Sequence, residues 1–148
     1  MNTKSEKIYE YDLEVTSVTD YGVTLDAVFG EQQSIPLQGA RFDLAFSGPI
    51  KGQVSGLLRG VDYLNVRADG RRDLDIRATI ETEDGKRIAF SADGVATPRR
   101  GEPVIDLSVN IRLSTAAKSY SWVNAGQTWG VGYANLATGQ IHVDAYVQ

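Results

Sequence analysis

The stretch Ile105-Asp106-Leu107-Ser108-Val109-Asn110-Ile111-Arg112-Leu113 alternates apolar and polar side chains without a break. Successive side chains of a strand point to opposite faces, so this row reads as a β-strand with one face in a core and one in water. The same period recurs along the chain. Tyr9, Tyr11, Leu13 and Val15 alternate with Glu10, Asp12 and Glu14. Further rows are Val23 to Phe29, Phe42 to Phe46, Leu74 to Ile80, Trp129 to Tyr133 and Ile141 to Val147. Turn signals separate them, including Tyr21-Gly22, Asp69-Gly70, Asp84-Gly85, Asp93-Gly94 and Thr138-Gly139. No long stretch carries a helical period. The pattern predicts an all-β, single-domain fold over residues 1–148 built from roughly ten short antiparallel strands. A sandwich and a closed barrel both satisfy it. The segment from Ala96 to Pro103, with Pro98 and Gly101, is the expected flexible excursion.

Composition narrows the chemistry. The 148 residues suit one domain, and 42% hydrophobic with 23% charged residues is a globular balance. Fifteen Lys and Arg against 19 Asp and Glu give a net charge of -4, which argues against a nucleic-acid partner. With no cysteine and one histidine, disulfide frameworks, thiolate zinc sites and cysteine nucleophiles are excluded. Spacing for a Ca²⁺ loop or a P-loop is missing, so no metal or cofactor is expected. Met1 to Glu14 interleaves charges with apolar residues, unlike a secretory signal, and no run is long enough to span a bilayer. A cytoplasmic protein with no membrane partner is the expectation.

A set of short motifs resembles one known family. Gly39-Ala40-Arg41 is followed by Gly48, Gly52 and Gly56, and then by Gly60-Val61-Asp62-Tyr63. Val66-Arg67-Ala68-Asp69-Gly70, Leu74-Asp75-Ile76-Arg77 and Thr82-Glu83-Asp84-Gly85 come next. Tyr120-Ser121-Trp122-Val123-Asn124 and Gly130-Val131-Gly132 close the series. In this order the motifs resemble domain-of-unknown-function family 3237, over most of the chain from residue 39 onward. The chain departs from the family's pattern at Tyr63, where tryptophan is usual, and in a shortened approach, Leu57-Leu58-Arg59-Gly60, to the aspartate. The resemblance implies an antiparallel β-barrel, often a homo-oligomer, and no established activity.

Hairpin geometry assigns faces. Glu83-Asp84-Gly85-Lys86 suits a turn with its glycine in the left-handed region and a bulge beside it. That register pairs Thr82 with Lys86, Ile80 with Ile88 and Ala78 with Phe90. Applied to Ala68-Asp69-Gly70-Arg71, it pairs Leu64 with Leu74 and Asp62 with Ile76. A register slipped by one residue would scatter the apolar side chains over both faces, so burial selects the bulged one. Asp62 then becomes the one charged residue on an apolar wall. A carboxyl group there is costly to ionise and is a candidate acid or base. It could instead sit at a barrel rim and bond only to loop amides.

Other candidates each carry a plainer reading. Trp122 and Asn124, with Tyr120 on the same face of a strand, could form an aromatic wall with an orienting amide, or be core packing and backbone satisfaction. Tyr63 and Trp129 share that ambiguity. Arg41 reads as outward, opposite Phe42, Leu44 and Phe46. Arg77 with Asp75 could clamp a carboxylate, or form a solvated pair. Both arginines match family positions. His142 falls on the polar side of its strand with Asp144 and Tyr146, and no nucleophile turn accompanies it. The resulting expectation is a barrel that binds a small, largely apolar molecule in its lumen, with Asp62, Tyr63, Arg41, Arg77, Trp122 and Asn124 as site residues. The alternatives are a cofactor-free isomerase, cyclase or lyase using Asp62, and a filled barrel with a structural or assembly role.

Overall fold

The computed structural model describes residues 6–31 and 34–147. Eight antiparallel strands close into a barrel in which each strand pairs with its neighbours in sequence and the last returns to the first. They are β1 (Glu6–Asp20), β2 (Ala40–Gly52), β3 (Gly56–Val66), β4 (Arg72–Thr82), β5 (Arg87–Pro98), β6 (Val104–Ser114), β7 (Thr128–Asn135) and β8 (Gln140–Val147). A short helix, α1 (Leu25–Phe29), lies between β1 and β2, and a 3-10 helix (Lys118–Asn124) lies between β6 and β7. Closure leaves no free sheet edge. Among the described residues no helix is long and apolar enough to cross a membrane.

The strands are fewer and longer than expected: Asp93-Gly94 lies inside β5 and not at a turn, and two segments read as strands coil. Val23 to Phe29 carries the alternation of a strand, yet Thr24 accepts the Ala27 N–H on its side-chain oxygen at 3.2 Å and caps α1. A satisfied cap and Asp26 in the first turn outweigh a two-residue period only a few residues long. Tyr120 to Asn124 is likewise the 3-10 helix, so Tyr120, Trp122 and Asn124 do not share a strand face. The segment after Ala96 is no loose excursion either. Strand β5 runs to Pro98, the Arg99 N–H bonds to Val104 O at 2.9 Å, and Gly101 supplies the positive φ that the turn needs.

The bulged hairpins form as the alternation requires. Thr82 N–H donates to Lys86 O at 2.8 Å with Gly85 at φ +83°, and Ile80 pairs with Ile88. Arg67 N–H donates to Arg71 O at 2.8 Å with Gly70 at φ +93°, and Asp62 pairs with Ile76. Leu64, Val66, Leu74, Ile80, Ile88 and Phe90 are accordingly buried.

One row is reversed. Trp129, Val131 and Tyr133 of β7 lie on the outside, each more than two-fifths exposed. The inward positions are Thr128, Gly130, Gly132 and Ala134. A side chain at Gly130 would meet Val109, Ile111 and Val143 at 2.6–3.0 Å, so the interior takes glycine and the larger residues face out.

The core is dense at one end of the barrel. Ile50, Val54, Leu58, Ile80, Ile88 and Ile111 are fully buried there, and Val123 of the 3-10 helix joins the same core. The other end, ringed by the β3–β4, β5–β6 and β7–β8 turns and by α1, is hollow.

Candidate functional site

The hollow end encloses a chamber of about 330 Å³. Its walls are apolar, with Leu13, Leu44, Leu74, Phe90, Leu107 and Val143 among them, and Leu25, Phe29 and Leu136 stand at the mouth. Asp62 and Tyr11 bring polar groups to the interior, while Asn135 and Thr138 belong to the turn at the rim.

Asp62 arrives there by strand parity. Leu64 and Val66 follow on the same inward row of β3, and Leu44 of β2 and Ile76 of β4 flank it. Its residue is only 9% exposed. One hydrogen bond reaches the carboxylate among the described residues, from Asp75 N–H to Oδ1 at 3.1 Å. Burial raises the Asp62 pKa from 3.8 to about 7, against the stabilising Asp75 N–H and with help from the Asp75 charge. Desolvation therefore dominates. Asp62 is poised to hold or release a proton at neutral pH.

Tyr11 is buried on the inward row of β1, its ring edge-on to Phe90 with centroids 5.9 Å apart. Burial, then the neighbouring Tyr9 and Asp62, hold its phenol well above the ordinary value, so it remains a proton donor. Tyr9 belongs to the packed end, where its hydroxyl and that of Thr128 lie 3.1 Å apart and burial pushes it up to about 12. In the alternation of β1, Tyr11 counts as one more apolar member of its row. Its hydroxyl was the available signal.

The remaining residues singled out in the sequence lie elsewhere. Arg41 and Tyr63 sit on the outer wall, with the Arg41 guanidinium 5.4 Å from the Tyr63 ring and 5.1 Å from that of Tyr21. Arg41 Nε also donates to Asp43 at 2.9 Å, which holds the Asp43 carboxyl below its usual range. Arg77 is outward as well, 3.8 Å from Asp75. Asn124 clamps the backbone of Thr115, accepting its N–H and donating to its carbonyl, each at 2.8 Å. Trp122 lines a small cleft beside Val123 at the packed end. Of the six, Asp62 alone lines the chamber.

His142 is on the outer wall between two acids, Nδ1 at 2.7 Å from Asp12 and Nε2 at 3.1 Å from Asp144. Partial burial opposes its charge, but the two carboxylates outweigh that and hold it above the ordinary histidine value. Glu10, His142 and Asp144 bring three potential ligand atoms within 4.8 Å of one another. The Lys7 ammonium lies at 2.7 Å from Glu10 and 2.9 Å from Asp144, so the acids there already hold a cation of the protein's own.

Residues 6–148 match the family described as a protein of unknown function (DUF3237). The chain belongs to that family. Barrels of similar shape are known from several organisms. A β-barrel like protein from Acinetobacter baumannii AYE is 22% identical with a TM-score of 0.76, covering 97% of this chain and 94% of that one. A protein of unknown function from Clostridium acetobutylicum is 18% identical with a TM-score of 0.79, covering 97% of both chains. A protein described as an enzyme, from Penicillium herquei, is 18% identical with a TM-score of 0.64, covering 100% of this chain and 98% of that one. At these identities the likeness is one of fold. No curated protein matches the chain.

Proposed function

We propose that this DUF3237 barrel binds a small, largely apolar molecule in the chamber at its open end. The observation that carries the reading is a chamber of about 330 Å³ whose apolar wall contains a buried, nearly unpartnered carboxyl group. Ligand sites combine this scale of volume and apolar lining with a few polar groups that fix orientation. Asp62 and Tyr11 are those groups. At pH 6 a protonated Asp62 donates a hydrogen bond, and above neutrality it accepts one.

The neutral dye Nile red tests the reading at pH 6. Saturable one-to-one binding with a blue-shifted emission is expected. Leu44→Trp, which fills the chamber from its wall, abolishes that binding while the far-ultraviolet spectrum stays that of a folded barrel. Equal binding by the filled variant overturns the proposal.

A second reading makes the chamber catalytic, with Asp62 moving a proton in an isomerisation, cyclisation or elimination that needs no cofactor. It is favoured by an acidity matched to neutral pH, the condition for efficient general acid–base work. The Penicillium herquei barrel described as an enzyme shares the fold. The probe 5-nitrobenzisoxazole isolates this chemistry: a base takes its ring C–H proton, the electron pair forms the nitrile, and the N–O bond breaks to a phenolate. Turnover above the buffer rate, rising as Asp62 ionises near pH 7 and lost in Asp62→Asn, is expected. Turnover unchanged by that substitution removes Asp62 as the base.

A further inference from the structure

Arg72 opens the inward row of β4, in a groove that adjoins the mouth of the chamber. The row continues through Leu74 and Ile76, and Arg72 pairs with Val66 on β3 and Ala96 on β5, both buried. Its guanidinium lies 4.6 Å from the ring centroid of Phe29 on α1. Nη1 donates to Gly70 O at 2.8 Å, and Nε is buried without a hydrogen-bond partner among the described residues. None of the ion pairs among those residues includes Arg72, although Arg41, Arg59, Arg67, Arg71, Arg77 and Arg99 all have carboxylate partners. The Glu31 charge acts on Arg72 from beyond ion-pairing distance and does not outweigh its desolvation, so the partly buried cation is costly.

The setting suits a ligand. Arg72 lies in a groove outside the chamber, and Leu25, Phe29, Ile105, Leu136 and Ala137 line both spaces. The groove holds Arg72, Arg99 and Arg100 against Asp26, Glu31 and Glu102, so its formal charges balance. Any selection for charge is therefore local to Arg72. With Nη1 engaged, Nε buried and Phe29 against the guanidinium, Nη2 is the nitrogen left open. Its charged N–H groups suit a carboxylate oxygen. Arg72 lies four positions along β4 from Ile76, the cross-strand partner of Asp62, which is roughly 13 Å of strand.

We infer that Arg72 anchors an acidic headgroup, making the ligand class an elongated apolar molecule with a carboxylate at the rim and its body in the chamber toward Asp62. This rests on the ligand-binding reading above. The apolar row of β4 starts at Leu74 in the sequence, and the same parity two positions back reaches Arg72.

Competition against bound Nile red at pH 7, comparing decanoate with 1-decanol, tests the inference. With the unsubstituted protein decanoate displaces the dye at a concentration lower by about tenfold, the scale of a charge-assisted hydrogen bond. Arg72→Gln brings the ratio to about one by weakening decanoate alone, and Arg72→Lys, a cation without the fork, restores part of it. Equal competition by the two molecules in the unsubstituted protein, or a preference that survives Arg72→Gln, overturns the anchor. In both cases decanol still displaces the dye and the chamber reading stands. Failure of the dye to bind, or of both competitors to displace it, overturns the chamber reading and the anchor with it.

Discussion

The Asp62 carboxylate accepts the backbone N–H of Asp75, 3.1 Å away on the adjacent strand, and Ile76 stands opposite it in the ladder. This one bond does not replace the hydration lost on burial, and the pKa rises from 3.8 to about 7. Folding therefore favours the protonated acid. Its contribution to stability is fully present below the unfolded value and is lost as pH rises through about 7. Asp62→Asn keeps an acceptor for the Asp75 N–H and removes the titration. The stability difference between the variant and the unsubstituted protein is expected to grow from pH 4 to pH 7, reaching roughly 4 kcal/mol in favour of asparagine. Urea titrations at several pH values measure it, and a difference independent of pH would contradict the buried carboxyl.

Tyr11 offers a companion test inside the chamber. Its hydroxyl has no hydrogen-bond partner among the described residues, so Tyr11→Phe sacrifices no bond. Stability is expected to stay within about 0.5 kcal/mol or to rise, while bound Nile red emits further to the blue in a less polar chamber. A loss well beyond that range would reveal a partner for the phenol.

Strand β7 separates inside from outside within two residues. Gly130 faces Val109, Ile111 and Val143 with no room for a methyl group, whereas Trp129 is 44% exposed. Gly130→Ala should cost about 1–3 kcal/mol by overpacking, and Trp129→Ser less than about 1 kcal/mol. The opposite order in thermal or urea unfolding would place the glycines on the outer wall.

Asn124 and Arg77 distinguish scaffold from site. Asn124→Ala loses both bonds to Thr115 and should destabilise the protein by about 1 kcal/mol, with Nile red affinity unchanged. Arg77, outward and 3.8 Å from its acid, should tolerate alanine within about 0.5 kcal/mol, again without effect on the dye. A fall in dye affinity for either variant would connect these residues to the chamber.

Local pattern was enough to specify much of this protein. A two-residue period dictates which side chains can share a face, and glycine at the β3–β4 and β4–β5 turns selects the register. Those two facts placed Asp62 on an apolar wall. Composition had already removed cysteine chemistry and left carboxylates, arginines, tyrosines and one histidine. Tertiary structure decided the rest, because parity assigns residues to faces but does not say which face is concave or how full it is. On β7 the interior admits only small residues, so its conspicuous apolar row turns outward. Around Leu25 a capped helical turn displaces an apparent strand. Trp122 and Asn124 are close in sequence to one another but at the packed end, and Tyr11 and Asp62 come from two strands to one chamber, with Arg72 in the groove beside it. Closure of the barrel brings them together: a long-range event, set by how eight strands and their side-chain volumes fit around a shared interior.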